Sequence, residues 1–430
     1  MTDVLLINAP VRNPDIDPHA RASPPLGLAY IAAVLEGDGY AVHAVDMNIL
    51  GLPEPCAIED FLIDSAPSLL GVSSTTEAFP NALEIARRAR AACTETFVVL
   101  GGPHVTALPF DAFDEPAIDA VVLREGEATM RELTAFVCRG KGELQSIKGL
   151  VFRDRGKVRQ TESRRLLDDL DTLPFPERRF FPMGEYTYPA TISGARGCPG
   201  KCIFCAGHTI TGSRYRVRSP ENVVSEIRHL VSKDQISNIT FVDDTFTVLP
   251  ERVKEICALI RSHRLDIGWG CSTRVDMVSR EMLKSMAEAG CREIHFGVES
   301  ASDPILMQIR KDIRREQVER SVEAAKSVGI KVYCSFMLPH PGDTPEAISE
   351  TMFFIKALLK EDVGVSVSIT TPFPGTELWK NPERFGIRIL STDWFDFDCC
   401  TPVMETKHLR APDIRRIITD LSFKGISNML

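Results

Sequence analysis

Thr191-Ile192-Ser193-Gly194-Ala195-Arg196-Gly197-Cys198-Pro199-Gly200-Lys201-Cys202-Ile203-Phe204-Cys205 runs from an apolar strand candidate straight into three crowded thiols in CxxxCxxC spacing. Soft sulfur ligands select zinc or an iron–sulfur cluster. Four thiolates would close a tetrahedral zinc site or occupy every iron corner of a cubane, whereas three leave one corner open to an outside ligand. A zinc knuckle that borrows His208, three residues beyond Cys205, fits the same spacing and stays open at this point.

Downstream of this run, strand candidates recur near Ile239, Ile267, Ile294, Lys331 and Gly364, and helical stretches fill the intervals. Ser219-Pro220 and Thr344-Pro345 each set a capping hydroxyl before a proline, which predicts two helix starts. Six strand–helix units predict a partial (β/α)6 barrel over residues 188–384. Upstream, apolar runs at Val4 to Ile7, Ala41 to Val45, Leu69 to Val72, Phe97 to Leu100 and Ile118 to Leu123 alternate with helical stretches at Leu26 to Leu35, Ala78 to Ala92 and Ala128 to Val137. That alternation predicts an α/β, Rossmann-like parallel sheet over 1–137, doubly wound, with its ligands at the carboxyl ends of the strands. Residues 138–187 read as a linker with one hairpin around Asp154-Arg155-Gly156-Lys157 and a proline-studded, extended run from Leu173 to Pro182. Residues 385–430, with Trp394, Phe395, Phe397 and Cys399-Cys400, are too short for a domain and read as an extension over the substrate side.

Hydrophobic residues make up 44% and charged residues 25% of the chain, the mix of a folded globular protein. Fifty Lys and Arg against 59 Asp and Glu give a net charge of −9, and with no basic tract a nucleic-acid partner is not expected. No run of 18 apolar residues predicts a membrane span, and Asp3 stands where a signal peptide would be basic, so the expected location is the cytoplasm. Twelve cysteines there predict thiols or metal ligands rather than disulfides. In the first domain, Ser73-Ser74-Thr75-Thr76, Gly101-Gly102-Pro103-His104 and Arg124-Glu125-Gly126-Glu127 end three strands on one rim. Small and hydroxylated residues there suit a nucleotide-like ligand, and no GxGxxG narrows it to a dinucleotide.

At the cysteine run the chain resembles the radical S-adenosylmethionine superfamily, which has this spacing and an aromatic residue, here Phe204, before the third cysteine. The resemblance implies that Cys198, Cys202 and Cys205 hold a [4Fe-4S] cluster whose open iron is chelated by S-adenosylmethionine. It also implies an external one-electron reductant such as flavodoxin or ferredoxin, and cleavage of the sulfonium to a 5′-deoxyadenosyl radical. Asp243 and Asp244 stand where the family has a Gly-Gly-Glu-like element for the methionine amine; they would accept from that ammonium, or else cap a turn. Arg274 resembles a contact to the cofactor's carboxylate or ribose, with a surface ion pair as the other reading. Glu299, in Gly297-Val298-Glu299-Ser300, resembles the acid of a Gly-x-Glu-Ser element at the barrel mouth. Met337 resembles a residue lining the adenine, or else belongs to a plain strand before a turn.

Together with its first domain the chain resembles cobalamin-dependent radical S-adenosylmethionine enzymes from about residue 3 to residue 380. That implies cobalamin held by Ser73, Ser74, Thr75, Thr76, Gly101, Gly102, His104, Glu125 and Gly126. Thr75 and Thr76 would lie near the lower face of the corrin, and His104 would hydrogen-bond the cofactor's side chains or, as a rival, ligate cobalt. Asp17-Pro18-His19-Ala20-Arg21-Ala22 lacks the glycine of the Asp-x-His-x-x-Gly motif and reads as chance. The implied activity is transfer of a methyl group from methylcobalamin to an unactivated carbon, or phosphinate phosphorus, of a small metabolite. Alternatives are rearrangement or cyclisation without net methylation, a non-catalytic zinc module, and a barrel enzyme whose first domain no longer holds cobalamin. A methylthiotransferase would want three cysteines in the first domain, where this chain has Cys56 and Cys93.

Overall fold

The strand β1 (Val4–Asn8) is apolar at four successive positions, the mark of a strand covered on both faces. A computed structural model, which describes residues 2–12, 22–49 and 58–422, places it second from one edge of a seven-stranded sheet. The order is β2 (Val42–Asp46), β1, β3 (Leu69–Ser73), β4 (Phe97–Gly101), β5 (Ala120–Val122), β6 (Leu150–Asp154) and β7 (Lys157–Gln160), with the first five parallel. The chain steps outward from β1 to β2 and then returns to β3 on the other side, so the switch point of this doubly wound sheet lies between β1 and β3. Val4 and Leu6 pack with Leu28, Ala32 and Met130 of the helices Leu26–Gly37 and Glu127–Arg139, whereas Leu5 and Ile7 pack with Ala82 and Ile85 of Phe79–Ala92.

The sequence places the 150–160 hairpin in a linker; the structure instead adds it antiparallel to β5. The reason is local. Edge N–H and C=O groups of β5 would otherwise lack partners, and the hairpin supplies them. The extended connection therefore begins after Gln160.

The second half contains β8 (Thr191–Ile192), β9 (Ala195–Arg196), β10 (Arg216–Val217), β11 (Asn238–Phe241), β12 (Gly268–Thr273), β13 (Cys291–Glu299), β14 (Lys331–Leu338) and β15 (Gly364–Ile369). Six of these form a parallel sheet in the order β15-β14-β13-β12-β11-β8, and β9 pairs with β10. Helices Pro220–Asp234, Pro250–Ser262, Arg280–Glu288, Arg315–Ser327 and Pro345–Lys360 fill the five intervals. Both proline-marked helix starts are capped: Ser219 Oγ accepts from the Asn222 amide at 3.1 Å, and Thr344 Oγ1 from the Ala347 amide at 3.3 Å.

Charge joins the two halves. Arg196 of β9 reaches Glu127 at 2.6 Å and Glu125 at 3.2 Å, and Arg216 of β10 reaches Glu125 at 2.8 Å. Behind them Glu226, fully buried, pairs with both Arg178 and Arg218, and Arg218 also meets the Tyr30 hydroxyl. The extension, with β16 (Arg388–Ile389), β17 (Met404–Glu405) and the helix Ala411–Ser422, lays Trp394 against Trp379 and His104. Asp17 to Arg21 and Cys56 lie outside the described residues. Among the described residues no helix is long and apolar enough to cross a membrane.

Candidate functional site

The thiol loop lies between β9 and the short helix Gly207–Ile210, at the carboxyl end of β8. Its backbone is fixed from three sides: Cys198 N donates to Gly212 O, Ile203 N to Ile309 O, and Leu378 N to Ile203 O. The three thiols open on a cavity of about 520 Å³ inside the barrel mouth. Gly200 sits between two of them; a Cβ there would stand 3.4 Å from Cys198 Sγ and 4.0 Å from Cys202 Sγ, narrowing the space they surround. Burial pushes the Cys202 thiol above its usual range, with Lys311 the largest opposing influence. A thiol in such a setting becomes a thiolate when a metal replaces its proton, so the donor set suits a cationic cluster. His208 does not complete a zinc site: its Nε2 lies 3.1 Å from the Cys198 carbonyl oxygen, to which it donates. Among the described residues no three His, Cys, Asp or Glu side chains could hold a single metal ion as they stand.

The structure separates the two acids after β11. Asp243 is buried behind the loop, where it accepts from Gly194 N at 2.6 Å and Ala195 N at 3.0 Å, and burial raises its pKa to about 6. It fastens the turn that leads to the thiols and does not face the cavity, a correction to its expected contact with the cofactor amine. In the bend that follows β11, Asp244 faces the other way, into the cavity wall with Cys205, His208 and Thr245. Arg274 and Glu299 also line the wall. The Arg274 guanidinium is held by Asp276 at 2.9 and 3.0 Å and donates to the Lys311 carbonyl, so its fork is partly occupied. Glu299 pairs with Lys311 at 2.8 Å, both side chains buried. Phe204 lines the cavity, while Met337 falls on the same inward face as Tyr333 and Ser335 but outside the wall.

Sequence reasoning missed Lys311. Its one available signal is the alternation Ile309-Arg310-Lys311-Asp312-Ile313, which sets the lysine on the side of two buried isoleucines.

A second cavity, about 310 Å³, runs under β1, β3, β4 and β5 toward the barrel. Leu6, Gly71, Val99, Ile31 and Met130 make it apolar, and Ser73, Gly101, Gly102, Glu125 and Gly126 stand at its polar end. Gly102 has φ 103°, and a Cβ there would meet Ser74 O at 2.5 Å, so only glycine fits. Ser74 and Thr76 are buried off this wall, and Thr75 is exposed on the rim, its hydroxyl accepting from the Ala78 amide. Glu125 is already engaged: burial alone would raise its pKa, but Arg216 and Arg196 hold it below the usual carboxylate range. His104 departs from expectation. It stacks on Phe79 at 3.9 Å and meets Trp394 edge-on at 4.8 Å, among residues that cover the other face of the sheet. Burial keeps it neutral, with a pKa near 4. It contacts neither cavity. Asp244 belongs to the walls of both cavities, so the two chambers adjoin at that side chain.

One acid beside the mouth sets a pH dependence. Asp343 is fully buried, accepts from His340 N at 2.7 Å, and is pushed up to about 7 by burial. The folded chain therefore keeps this proton up to about pH 7, while the unfolded chain releases it from about pH 4, so stability falls as pH rises between those values and levels off above. Asp343→Asn keeps an acceptor without the charge and is expected to gain on the order of a few kcal/mol at pH 8. Thermal melts should show that gain shrinking toward pH 5; a gain equal at both pH values would contradict the assignment.

Residues 192–355 match the family model of the Radical SAM superfamily, and residues 20–134 that of the B12 binding domain. The chain is 36% identical over 404 residues to the "uncharacterized methyltransferase PH0819" of Pyrococcus horikoshii, covering 92% of this chain and 86% of that one. It is 27% identical over 395 residues to the anaerobic magnesium-protoporphyrin IX monomethyl ester cyclase of Rubrivivax gelatinosus, covering 89% and 70%. Its fold is similar to that of the radical S-adenosylmethionine methyltransferase TsrM from Kitasatospora setae, solved with cobalamin and a [4Fe-4S] cluster bound. The TM-score is 0.73 at 20% identity, over 91% of this chain and 78% of that one.

Proposed function

The chain belongs to the radical SAM superfamily, in the cobalamin-dependent group whose barrel follows a B12-binding domain, and on that footing we propose that it methylates an unactivated carbon, or phosphinate phosphorus, of a small metabolite. In that family the cluster with S-adenosylmethionine supplies hydrogen-atom abstraction, and the corrinoid carries the methyl group. The observation that carries the reading is the junction of a thiol-lined chamber with a slot from the Rossmann-like sheet at Asp244.

The chain's own residues position and shield. Cys198, Cys202 and Cys205 ligate the cluster. Asp244 accepts from the cofactor's ammonium, and Lys311, held by Glu299, offers its remaining donors to the carboxylate. Arg274 braces the Lys311 backbone and presents its unoccupied edge to the same cofactor. The slot floored by Gly71, with Ser73, Gly101 and Gly126 at its polar end and Thr75 on the rim nearby, would hold the corrinoid, which would supply the methyl carrier. The described residues up to 160 then form the cobalamin half, 188–384 the barrel, and 385–422 an extension that packs Trp394 against His104 and Trp379 and lines neither cavity. Flavodoxin or ferredoxin delivers the electron, and the cytoplasm keeps the thiols reduced.

Similarity to a cyclase favours one rival, rearrangement or ring closure without net methylation. Counting both nucleoside products per turnover separates them. A methyltransferase releases one S-adenosylhomocysteine and one 5′-deoxyadenosine per product; product made with no S-adenosylhomocysteine would overturn methylation. Cobalamin-grown protein that purifies without corrinoid would instead leave the barrel alone as the active part.

A further inference from the structure

The chamber that begins at the thiols continues down the inner face of the barrel, where Tyr188, His295, Tyr333 and Ser366 line it. His295 and Tyr333 are register partners on β13 and β14, two residues before Gly297 and Ser335 on the same face. Their rings stack at 4.7 Å and 7°. Lys331 lies over the Tyr333 ring at 4.8 Å, and Glu293 stands 3.7 Å from His295 Nε2. The aromatic pair is thus braced from the amino ends of its strands by two charged groups that do not line the chamber.

The charged side chains that do line the chamber, Asp244, Arg274, Glu299 and Lys311, cluster toward the thiols, and three of them are already paired among themselves or with Asp276. The floor carries hydroxyls and an imidazole. Behind the stacked pair Glu293 and Lys331 offset each other, so a carboxylate or phosphate seated there meets Glu293 as well as Lys331, and an ammonium meets Lys331 as well as Glu293. Neither sign is favoured, and either would give up its hydration for no net attraction. A fully apolar end would offer no partner to the hydroxyls of Tyr188 and Ser366, while that of Tyr333 already accepts from Lys331 and has its proton left to donate.

We propose that this floor seats the substrate and reads an uncharged head group that both donates and accepts hydrogen bonds: a hydroxylated, amide or neutral heterocyclic end. Stacking against the His295–Tyr333 pair fixes that end, and the rest of the molecule points toward Asp244, where the two cavities meet. The inference deepens the function proposed above and rests on it.

Saturation-transfer NMR on the full chain, reconstituted without oxygen, tests it with uracil and nicotinamide as neutral probes and benzoate and inorganic phosphate as charged ones. Uracil and nicotinamide should bind saturably, and benzoate and phosphate should not. Tyr333→Leu and His295→Ala should each weaken the neutral probes roughly tenfold, about the worth of one buried hydrogen bond to a neutral partner. Tyr333→Phe, which keeps the ring and the fold, should weaken them severalfold through loss of the hydroxyl alone. Neutral probes that fail to bind, that bind all three variants as tightly as the wild type, or that are outcompeted by benzoate or phosphate would overturn the seat. A dithionite-driven 5′-deoxyadenosine assay on the wild type keeps the two failures apart: with that product formed, only the seat falls, and without it the function proposed above falls and the seat with it.

Discussion

Cys202→Ala is expected to purify as a folded chain that neither takes up a full cluster nor cleaves S-adenosylmethionine. Two thiols cannot hold three corners of a cubane, so iron and sulfide content and the brown absorbance should collapse together. Reductive cleavage to 5′-deoxyadenosine should drop by roughly 10³-fold or more, over about 4 kcal/mol of barrier. Folding should survive, because the loop backbone is tied by amides at Cys198, Ile203 and Leu378 and not through the Cys202 sulfur. Retained turnover in this variant would remove the basis for radical chemistry.

Glu226→Ala carries the largest expected loss of stability. Glu226 is fully buried and is shared by Arg178, at 2.6 Å, and Arg218, both themselves buried. Removing it strands two guanidiniums away from water, a change that costs about 3–5 kcal/mol when one partner of a buried pair is lost. A melting midpoint lower by roughly 10 °C is the corresponding expectation. Asp38→Asn, which breaks only the exposed contact with Arg131 at 2.6 Å, should move it little. Equal shifts in the two variants would show that the buried network is not what locks this region.

The barrel was legible because its apolar strands and capped helices repeat with a period that a reader can follow, and the thiol spacing is specific. The first sheet was legible for the same reason. What escaped depended on direction and partner. Asp243 and Asp244 are chemically identical neighbours, and only the course of the bend after β11 decides that one holds Gly194 and the other faces both chambers. His104 follows two glycines and a proline on a rim of ligand-like residues, yet it faces Phe79 and Trp394, the latter nearly 300 residues away and invisible to local pattern. Lys311 gains its place from a partner twelve positions earlier in the chain. Glu125 was singled out for a ligand and is claimed by Arg196 and Arg216, because interdomain pairing leaves no local signature.

Pulsed electron paramagnetic resonance on the chain loaded with corrinoid and cluster, both in paramagnetic states, interrogates the meeting of the two chambers at Asp244 most directly. Adjoining sites predict two signals joined by a resolved dipolar coupling that vanishes in Cys202→Ala. Two independent, uncoupled spectra, or a corrinoid signal absent from fully loaded protein, would contradict the arrangement.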